Sequence, residues 1–556
     1  MRKNWTLKTN WLIILVLVVK SITLTGQTQP RYSVDSLEKE QINWYNLDAK
    51  EDKIIGVSTE KAYNELLANK KPKKKIIVAV IDAGVDIKHE DLQDKIWKNL
   101  DEVPDNGIDD DENGFIDDVY GWNFLGNTEG ENIGLENMEY TRICKKYESK
   151  YGNLSQMSSF TEEQKKEYEY YKTAKKEYEK KRQEEMQDAA YVAAMENAYN
   201  MTSEILLEQT GGTELNEEIV KGIKPKNKQV KKAKKLMLLF YTMGDVQYAI
   251  KVYNEDIQNY MDYRLNKDYN PREIIGDDPE VLDDIKYGNP DVTGPDASHG
   301  TMVSSLIAAV RNNNTGINGI ADNVEIMAIR TIPDGDEYDK DVANAIRYAV
   351  DNGANIINMS FGKQFSPQKE FVDDAIRYAD EHNVLLIHAA GNDAINTDST
   401  IYYPNYIYNN SNQAQAYITV GASAREPGKK LAASFSNFGK ESVDFFAPGH
   451  EIVVAYPGNR YSSVSGTSFA APVTSGIAAL VWSYYPEITS LELKEILIAS
   501  IVPYSGQTVL QPKPQNEEGK ATKVKFEGLC FTGGIVNAYN ALKLAEEHST
   551  KHEEKQ

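Results

Sequence analysis

The chain has 556 residues, of which 41% are hydrophobic, and this is enough for at least one large buried core. Acidic residues outnumber basic ones by 84 to 62, which gives a formal net charge of −22. So acidic a composition excludes nucleic-acid phosphates as the main binding partner. Two cysteines, Cys144 and Cys530, are too few for a thiol-rich zinc site or a disulfide scaffold, although their spacing leaves a single disulfide open.

Residues 1–26 have the layout of a signal peptide. Arg2, Lys3 and Lys8 precede nine uninterrupted apolar residues, 11–19, and a small polar stretch follows. Nine residues are fewer than the ~20 that a helix needs to span a bilayer. We therefore expect export of the protein and no stable membrane span after cleavage. A retained membrane anchor is the alternative interpretation.

Residues 27–75 form a polar N-terminal segment that ends in a basic run at 70–75. One interpretation is a solvated approach to the first strand. The other is an exposed linker that is cut during maturation, because exposed polar loops are favoured sites of proteolysis.

From residue 76 the chain contains short, nearly continuous apolar runs that are typical of strands buried on both faces. Helical patterns at 339–350 and 371–379 lie between some of them. We predict an α/β domain over residues 76–545, a doubly wound and mostly parallel sheet covered by helices, followed by a charged tail at 546–556. The runs are 76–81, 324–329, 356–359, 384–390, 418–420 and 443–447.

A stretch rich in Lys, Glu and Tyr interrupts this rhythm at residues 131–290. Its opposite charges are spaced for helix-surface pairs, which predicts solvent-facing helices in two blocks, 161–208 and 217–265. The prediction is a helical subdomain inserted into the α/β domain. It has either a structural or steric role, or the role of a lid or partner-docking element over a cleft.

Four segments place polar side chains where an α/β sheet collects its functional groups. Asp82 ends the first apolar run, and Asn392 follows the run that begins at 384. His299 begins a helical pattern, and there the positive end of the helix is expected to favour a neutral imidazole. Ser468 also lies at a helix start, because Pro472 is acceptable only near the beginning of a helix. Each residue alone could be a turn or a helix cap.

Taken together, the four segments resemble the subtilisin-like serine proteases, in that family's order of Asp, His and Ser. The segments SHGTMV at 298–303 and SGTSFAAP at 465–472 carry the resemblance, which extends to NMSFG at 358–362 and GGIVNA at 533–538. It covers most of residues 76–545 outside the insertion. It implies that His299 is the general base for the nucleophile Ser468, that Asp82 orients His299, and that Asn392 belongs to the oxyanion hole.

The resemblance also implies a substrate-binding strand and a substrate side-chain pocket, formed by Ser360, Phe361, Gly362, Ala390 and Gly391. Two departures from the family pattern are evident. There are 216 residues between Asp82 and His299, far more than in compact members, and the N-terminal segment does not resemble the usual folding propeptide.

An acidic loop, DNGIDDDENGFIDD at residues 105–118, resembles the opening of an EF-hand calcium loop. Tyr120 stands where a bidentate glutamate would complete that loop. The sequence is compatible with a structural calcium ion and equally with a hydrated acidic turn. No cofactor is required for the predicted chemistry. The candidate ligands are Asp109, Asp111, Asn113 and Asp117.

The sequence thus predicts an exported serine endopeptidase that acts on peptide or protein substrates through an acyl-enzyme intermediate. A catalytically retired subtilisin-like scaffold or binding protein is the alternative. An α/β-hydrolase esterase fits less well, because it needs a catalytic histidine after the serine. Only His548 and His552, in the charged tail, follow Ser468.

Overall fold

The computed structural model describes residues 42–152, 160–513 and 522–553. The predicted signal peptide and the first part of the N-terminal segment lie outside these residues. The chain divides into two compact units. We call the described part of residues 30–139 and 270–556 the sheet unit, and the described part of residues 140–269 the helical unit.

Thirteen strands occur in the described residues. They are β1 (Ile76–Asp82), β2 (Gly121–Asn123), β3 (Val324–Arg330), β4 (Ile356–Met359), β5 (Leu385–Ala389), β6 (Tyr417–Ser423), β7 (Phe445–Pro448), β8 (Ile452–Tyr456), β9 (Arg460–Val464), β10 (Val502–Pro503), β11 (Thr508–Leu510), β12 (Lys523–Lys525) and β13 (Gly534–Ile535).

The described residues also form thirteen α-helices. They are α1 (Thr59–Lys61), α2 (Glu139–Tyr151), α3 (Glu162–Thr210), α4 (Glu217–Gly222), α5 (Lys228–Tyr241), α6 (Val246–Asn259), α7 (Arg272–Ile275), α8 (Ser298–Ala308), α9 (Asp339–Asp351), α10 (Lys369–Glu381), α11 (Thr467–Tyr484), α12 (Ser490–Ala499) and α13 (Ala538–Glu553). Helix α13 runs through most of the predicted charged tail.

Nine of the described strands form one sheet, in the order β10-β13-β7-β6-β5-β4-β1-β3-β2. All pairings in it are parallel except that of β10 with β13. The six predicted apolar runs are β1 and β3 to β7, and the two predicted helices are α9 and α10. The α/β prediction is confirmed.

Both faces of the sheet are covered by helices. In β1, Val78 and Val80 pack into a core with α8 and α11, while Ala79 and Ile81 pack into a second core with α9 and α10. Because side chains alternate across a strand, a strand buried on both faces must be apolar at every position. The uninterrupted apolar run of β1 therefore follows from its central place.

The N-terminal segment packs into the sheet unit from residue 42 onward. Trp44 and Tyr45 are fully buried, and their side chains donate hydrogen bonds to the backbone oxygens of Glu451 (2.9 Å) and Asn318 (2.8 Å). The basic run at 70–75 is exposed. The polar composition of the segment as a whole had concealed its buried aromatic pair.

The helical unit contains a small core between α3, α4, α5 and α6. The predicted block at 217–265 is not one helix but several. Asn227 and Asp245 each accept a hydrogen bond from a backbone amide at the start of the next helix. These side-chain caps, with Pro225 and Gly244 in the connections, explain why the block is interrupted.

The compact helical unit is shorter than the predicted insertion, because residues 131–139 and 270–290 belong to the sheet unit. Arg272 is buried there and pairs with Asp341 at 2.9 Å. Cys144 and Cys530 are both buried and free. Within the described residues, no helix combines the length and apolar character needed to cross a membrane.

Candidate active site

Asp82 is the last residue of β1, between β3 and β4 in the middle of the sheet. Its side chain is 2% exposed, and its carboxylate accepts a hydrogen bond from the Ala83 amide at 2.8 Å. Its backbone oxygen accepts hydrogen bonds from the amides of Thr331 and Ile332. The carboxylate is therefore held at the carboxyl end of a rigid strand.

His299 is the second residue of α8, and its ring faces Asp82. The distances from its Nδ1 to the two carboxylate oxygens of Asp82 are 2.8 and 3.0 Å. Gly300 makes this approach feasible, because a Cβ built at that position would lie 2.2 Å from the backbone oxygen of Gly84. A glycine after the histidine is thus required for the start of α8 to lie against the end of β1.

The ionisation of His299 differs from the expectation that the helix start favours a neutral ring. Burial lowers the pKa of His299, but the charge and hydrogen bond of Asp82, with a smaller contribution from Asp296, leave that pKa above its ordinary value. The carboxylate in direct contact outweighs the helix end. The imidazolium form is therefore the one that this site stabilises.

Ser468 is the second residue of α11. Its Oγ donates a hydrogen bond to the backbone oxygen of Ser360 at 3.1 Å, and among the described residues no hydrogen bond joins it to His299. The Phe469 and His299 rings lie 5.9 Å apart. The serine and the histidine line the same cleft.

Pro472 is the sixth residue of α11 and so lies deeper in the helix than the sequence suggested. A proline has no N–H, so the backbone oxygen of Ser468, four residues earlier, loses its helical hydrogen bond. The Ser360 hydroxyl replaces it, donating to that oxygen at 2.9 Å. The proline is tolerated because a neighbouring strand end satisfies the freed carbonyl.

Asn392 follows β5. Its Oδ1 accepts hydrogen bonds from the amide (2.8 Å) and the hydroxyl (3.0 Å) of Thr467. Among the described residues its side-chain nitrogen has no hydrogen-bond partner. Thr467 therefore fixes the orientation of the amide and leaves its donor side available.

These groups line a single cleft in the sheet unit, with a volume of about 380 Å³. The cleft contains Asp82, His299, Asn392 and Ser468. Of the predicted substrate-binding residues, Ser360, Phe361, Gly362 and Gly391 also line it. Ala390 does not, and its neighbour Ala389 lines the cleft instead.

A family model described as the subtilase family matches residues 73–525. The chain belongs to the subtilase family. The match begins just before β1 and ends with β12, so it includes every residue of the cleft.

Several known proteases resemble this subtilase over a part of its length. A thermophilic serine proteinase of Bacillus sp. (strain AK1) is 35% identical over 246 residues, which is 44% of this chain and 52% of the relative. Thermitase of Thermoactinomyces vulgaris is 34% identical over 246 residues, 44% of this chain and 75% of the relative.

The halolysin-like extracellular serine protease Nep of Natrialba magadii is 35% identical over 259 residues, 46% of this chain and 44% of the relative. This subtilase therefore spans about half the length of two of these three relatives.

Arg330 is a cleft residue that sequence reasoning missed. It ends β3, is 2% exposed, and donates hydrogen bonds to the Ala83 backbone oxygen and the Asn123 side-chain oxygen, both at 2.9 Å. Burial lowers the pKa of its guanidinium to about 10. The available signal was an arginine at the end of a strand predicted to be buried.

Other missed residues of the cleft come from loops, whose positions are not indicated by any periodic pattern. They are Ala83, Gly134, Asp296, Ile332, Pro333, Asp334, Gly335, Asp336, Glu337 and Tyr402, and one further missed residue, Thr467, begins α11.

The acidic loop brings together two of its four predicted ligands. Asp109 and Asp111 each place a carboxylate oxygen within 4.8 Å of one another and of Glu102, which sequence reasoning missed. Asp117 lies outside this group, and its carboxylate accepts hydrogen bonds from the amides of Asn106 (3.0 Å) and Gly107 (2.9 Å). The backbone amide of Asn113 donates hydrogen bonds to the carboxylates of Asp109 and Asp111.

Proposed function

We propose that this subtilase is an exported serine endopeptidase in which Ser468 attacks the peptide carbonyl, His299 is the general base and Asp82 orients His299. The observation that carries the proposal is the 2.8 Å contact between His299 and Asp82 in the same cleft as Ser468 and Asn392. A serine hydroxyl, an imidazole and a buried carboxylate are together sufficient for acyl transfer.

In the proposed reaction, Asp82 holds His299 by Nδ1, so Nε2 accepts the Ser468 proton. The serine oxygen then bonds to the substrate carbonyl carbon, and the imidazolium donates its proton to the departing amine. Water enters, His299 takes a proton from it, and its oxygen bonds to the acyl carbon. The bond from that carbon to Ser468 Oγ then breaks, and the imidazolium returns its proton to Ser468 Oγ. The raised pKa of His299 stabilises the imidazolium that forms at each step.

The tetrahedral intermediate carries negative charge on the former carbonyl oxygen. The Asn392 side-chain nitrogen and the Ser468 backbone amide, near the start of α11, are proposed to donate to it. Thr467 holds the Asn392 carbonyl by two hydrogen bonds, so the donor needs no reorganisation during the reaction. Such a pre-oriented donor contributes about 3 to 4 kcal/mol to the stability of a transition state.

Export is proposed from the signal-peptide pattern of residues 1–26. Peptides and proteins outside the cytoplasm are then the substrates. One similar protein is named as extracellular, the protease Nep. Cell fractionation of the native host tests this part, and the protein in the cytoplasmic fraction would contradict it.

A structural calcium ion at the acidic loop is a further part of the proposal. Carboxylate oxygens are the ligands that calcium prefers, and Glu102, Asp109 and Asp111 supply them. When bound, the ion would neutralise their mutual repulsion and stabilise the loop. We expect chelator to lower the unfolding temperature and calcium to restore it, as measured by calorimetry on the Ser468→Ala protein. An unfolding temperature that chelator leaves unchanged would contradict the proposed calcium site.

The catalytic assignment is tested with a fluorophosphonate probe and a peptide library. We expect the probe to label the wild-type chain and not Ser468→Ala, and only the labelled protein to cleave peptides. Ser465→Ala is the matched control, since it removes another hydroxyl three residues before the nucleophile. A properly folded wild type that is neither labelled nor active would instead favour a retired scaffold.

A further inference from the structure

Tyr402 lines the catalytic cleft and also a second cavity of about 280 Å³. Among the described residues, it is the one that lines both spaces. On the far side of its ring, the second cavity is lined by residues that include His388, Ala390, Thr419 and Tyr406. The two cavities therefore adjoin at the Tyr402 side chain.

The Tyr402 ring is held by a hydrogen bond at its hydroxyl and packs closely against two glycines. Its hydroxyl donates a hydrogen bond to the Gly362 backbone oxygen at 2.8 Å. A Cβ built at Gly362 would lie 2.4 Å from the ring, and one built at Gly391 would lie 3.1 Å from it. Two glycines therefore leave the space that the ring occupies, and a hydrogen bond fixes its tip.

The side of the cleft at which Tyr402 lies follows from the proposed reaction. The attacked carbonyl must lie between Ser468 Oγ and the Asn392 amide. Ser468 Oγ contacts the backbone oxygen of Ser360, and Asn392 directly follows Gly391. The side chain of the residue that bears this carbonyl must therefore enter between the segments 360–362 and 389–391, where the Tyr402 ring lies.

We infer that Tyr402 is a specificity-determining residue, which forms the floor of the pocket for the residue on the carbonyl side of the scissile bond and restricts that residue to small side chains. This inference rests on the proposed endopeptidase function. An aromatic substrate side chain would have to displace a tethered ring. An alanine or a serine side chain fits above it.

The experiment compares two peptide substrates that differ only in alanine or phenylalanine before the scissile bond. We expect the wild type to prefer alanine by at least about tenfold in kcat/KM, the discrimination that a sterically closed hydrophobic pocket supplies. Tyr402→Ala joins the two cavities and is expected to shift the ratio toward phenylalanine by at least about tenfold. Tyr402→Phe keeps the ring and is expected to keep the preference for alanine.

Tyr406→Ala is the matched control, because Tyr406 lines only the second cavity. It should leave the substrate ratio within about twofold of the wild type. A wild type that cleaves both substrates equally, or a labelled Tyr402→Ala protein with an unchanged ratio, overturns the inference. If Tyr402→Ala does not fold, the wild-type ratio decides alone. Absence of probe labelling in the wild type is the separate result that rejects the proposed function itself.

Discussion

The sheet unit contains a buried cluster of ion pairs, whereas most ion pairs of the helical unit are at least partly exposed. In the sheet unit, the side chains of Arg272, Lys340, Asp277 and Asp341 are buried together and form ion pairs at 2.9 to 3.0 Å. In the helical unit, pairs such as Lys221 with Glu217 lie on the surface, with 63% and 52% of their side chains exposed. Removing one partner of a buried pair leaves an uncompensated charge, whereas exposed pairs contribute little.

The apolar groups of the two units differ in the same sense. Every residue of β5, β6 and β7 is buried, so the sheet has two extensive cores. Helix α3 has 49 residues, of which 8 are buried. All residues of the cleft come from the sheet unit. The candidate catalytic residues are therefore held by a sheet with extensive cores, whereas the helical unit is stabilised by a small core.

The largest effect is expected from Asp82→Asn in the sheet unit. Loss of the carboxylate leaves His299 misoriented and its charged form unsupported, so kcat should fall by about 10⁴-fold. Because Asp82 raises the pKa of His299, the acid limb of the profile of kcat/KM against pH should move to lower pH. The profile is measured with a short peptide. Asp296→Asn removes only the smaller contribution to the pKa of His299 and should move the limb less, and a loss of kcat below tenfold in Asp82→Asn would reject the assigned role.

The next effect concerns the helical unit. Phe240 is 1% exposed, and its ring lies 5.6 Å from that of Tyr199. Phe240→Ala should destabilise the helical unit by about 3 to 5 kcal/mol, since it leaves a cavity in a small core. Hydrogen exchange of α3 and α5 measures this, with the milder Phe240→Leu as control. Peptide cleavage that fell in parallel would show that the chemistry also depends on this unit.

A pH effect on stability is expected from His388 in β5. Its ring is 3% exposed, and burial lowers the pKa of His388 to about 4, although a hydrogen bond with the Phe361 oxygen raises it slightly. The unfolded chain binds a proton near the ordinary pKa of about 6.5, whereas the folded chain does not. Stability from His388 is thus complete above that pH and is lost as the pH falls toward 4.

The loss amounts to about 3 kcal/mol, because each pKa unit corresponds to about 1.4 kcal/mol. Urea unfolding of Ser468→Ala between pH 4 and 7, with and without His388→Gln, measures it. Glutamine retains a donor for the Phe361 oxygen. His382→Gln provides the control, since it makes the same substitution at an exposed position. Identical slopes with and without His388 would show that burial does not suppress its protonation.

The parts of the fold that could be predicted are those with a strong local pattern. Strands such as β1 contain uninterrupted apolar runs because both of their faces are covered, and such runs can be recognised in the sequence. The segments around His299 and Ser468 could be recognised as motifs for a different reason. A close backbone contact requires glycine at position 300, and Pro472 limits where its helix can begin. These local requirements produce short motifs that can be recognised in the sequence.

The remaining parts depend on contacts between distant residues. The short strands β2, β10 and β13 have two or three residues each and no periodicity to detect. Tyr402 lies in a loop, and its position against Gly362 and Gly391 results from tertiary packing. Glu102 joins Asp109 and Asp111 from outside the loop motif. The spacing of residues in the sequence does not indicate such tertiary contacts.

The smallest effect is expected from a surface pair of the helical unit. Glu217 precedes Lys221 by four residues in α4, the favoured orientation, and their charged groups lie 2.7 Å apart. Lys221→Gln should destabilise the helical unit by about 0.2 to 0.5 kcal/mol at low salt. The loss should vanish at about 1 M salt, where the screening length is only about 3 Å.

Hydrogen exchange of α4 in both buffers measures this loss, with Lys226→Gln as the control. Lys226 is exposed and has no salt bridge to the described residues. A loss of several kcal/mol, or one that persists at high salt, would mean that Lys221 is not a solvated surface charge. Such a result would contradict the contrast between exposed ion pairs in the helical unit and buried ion pairs in the sheet unit.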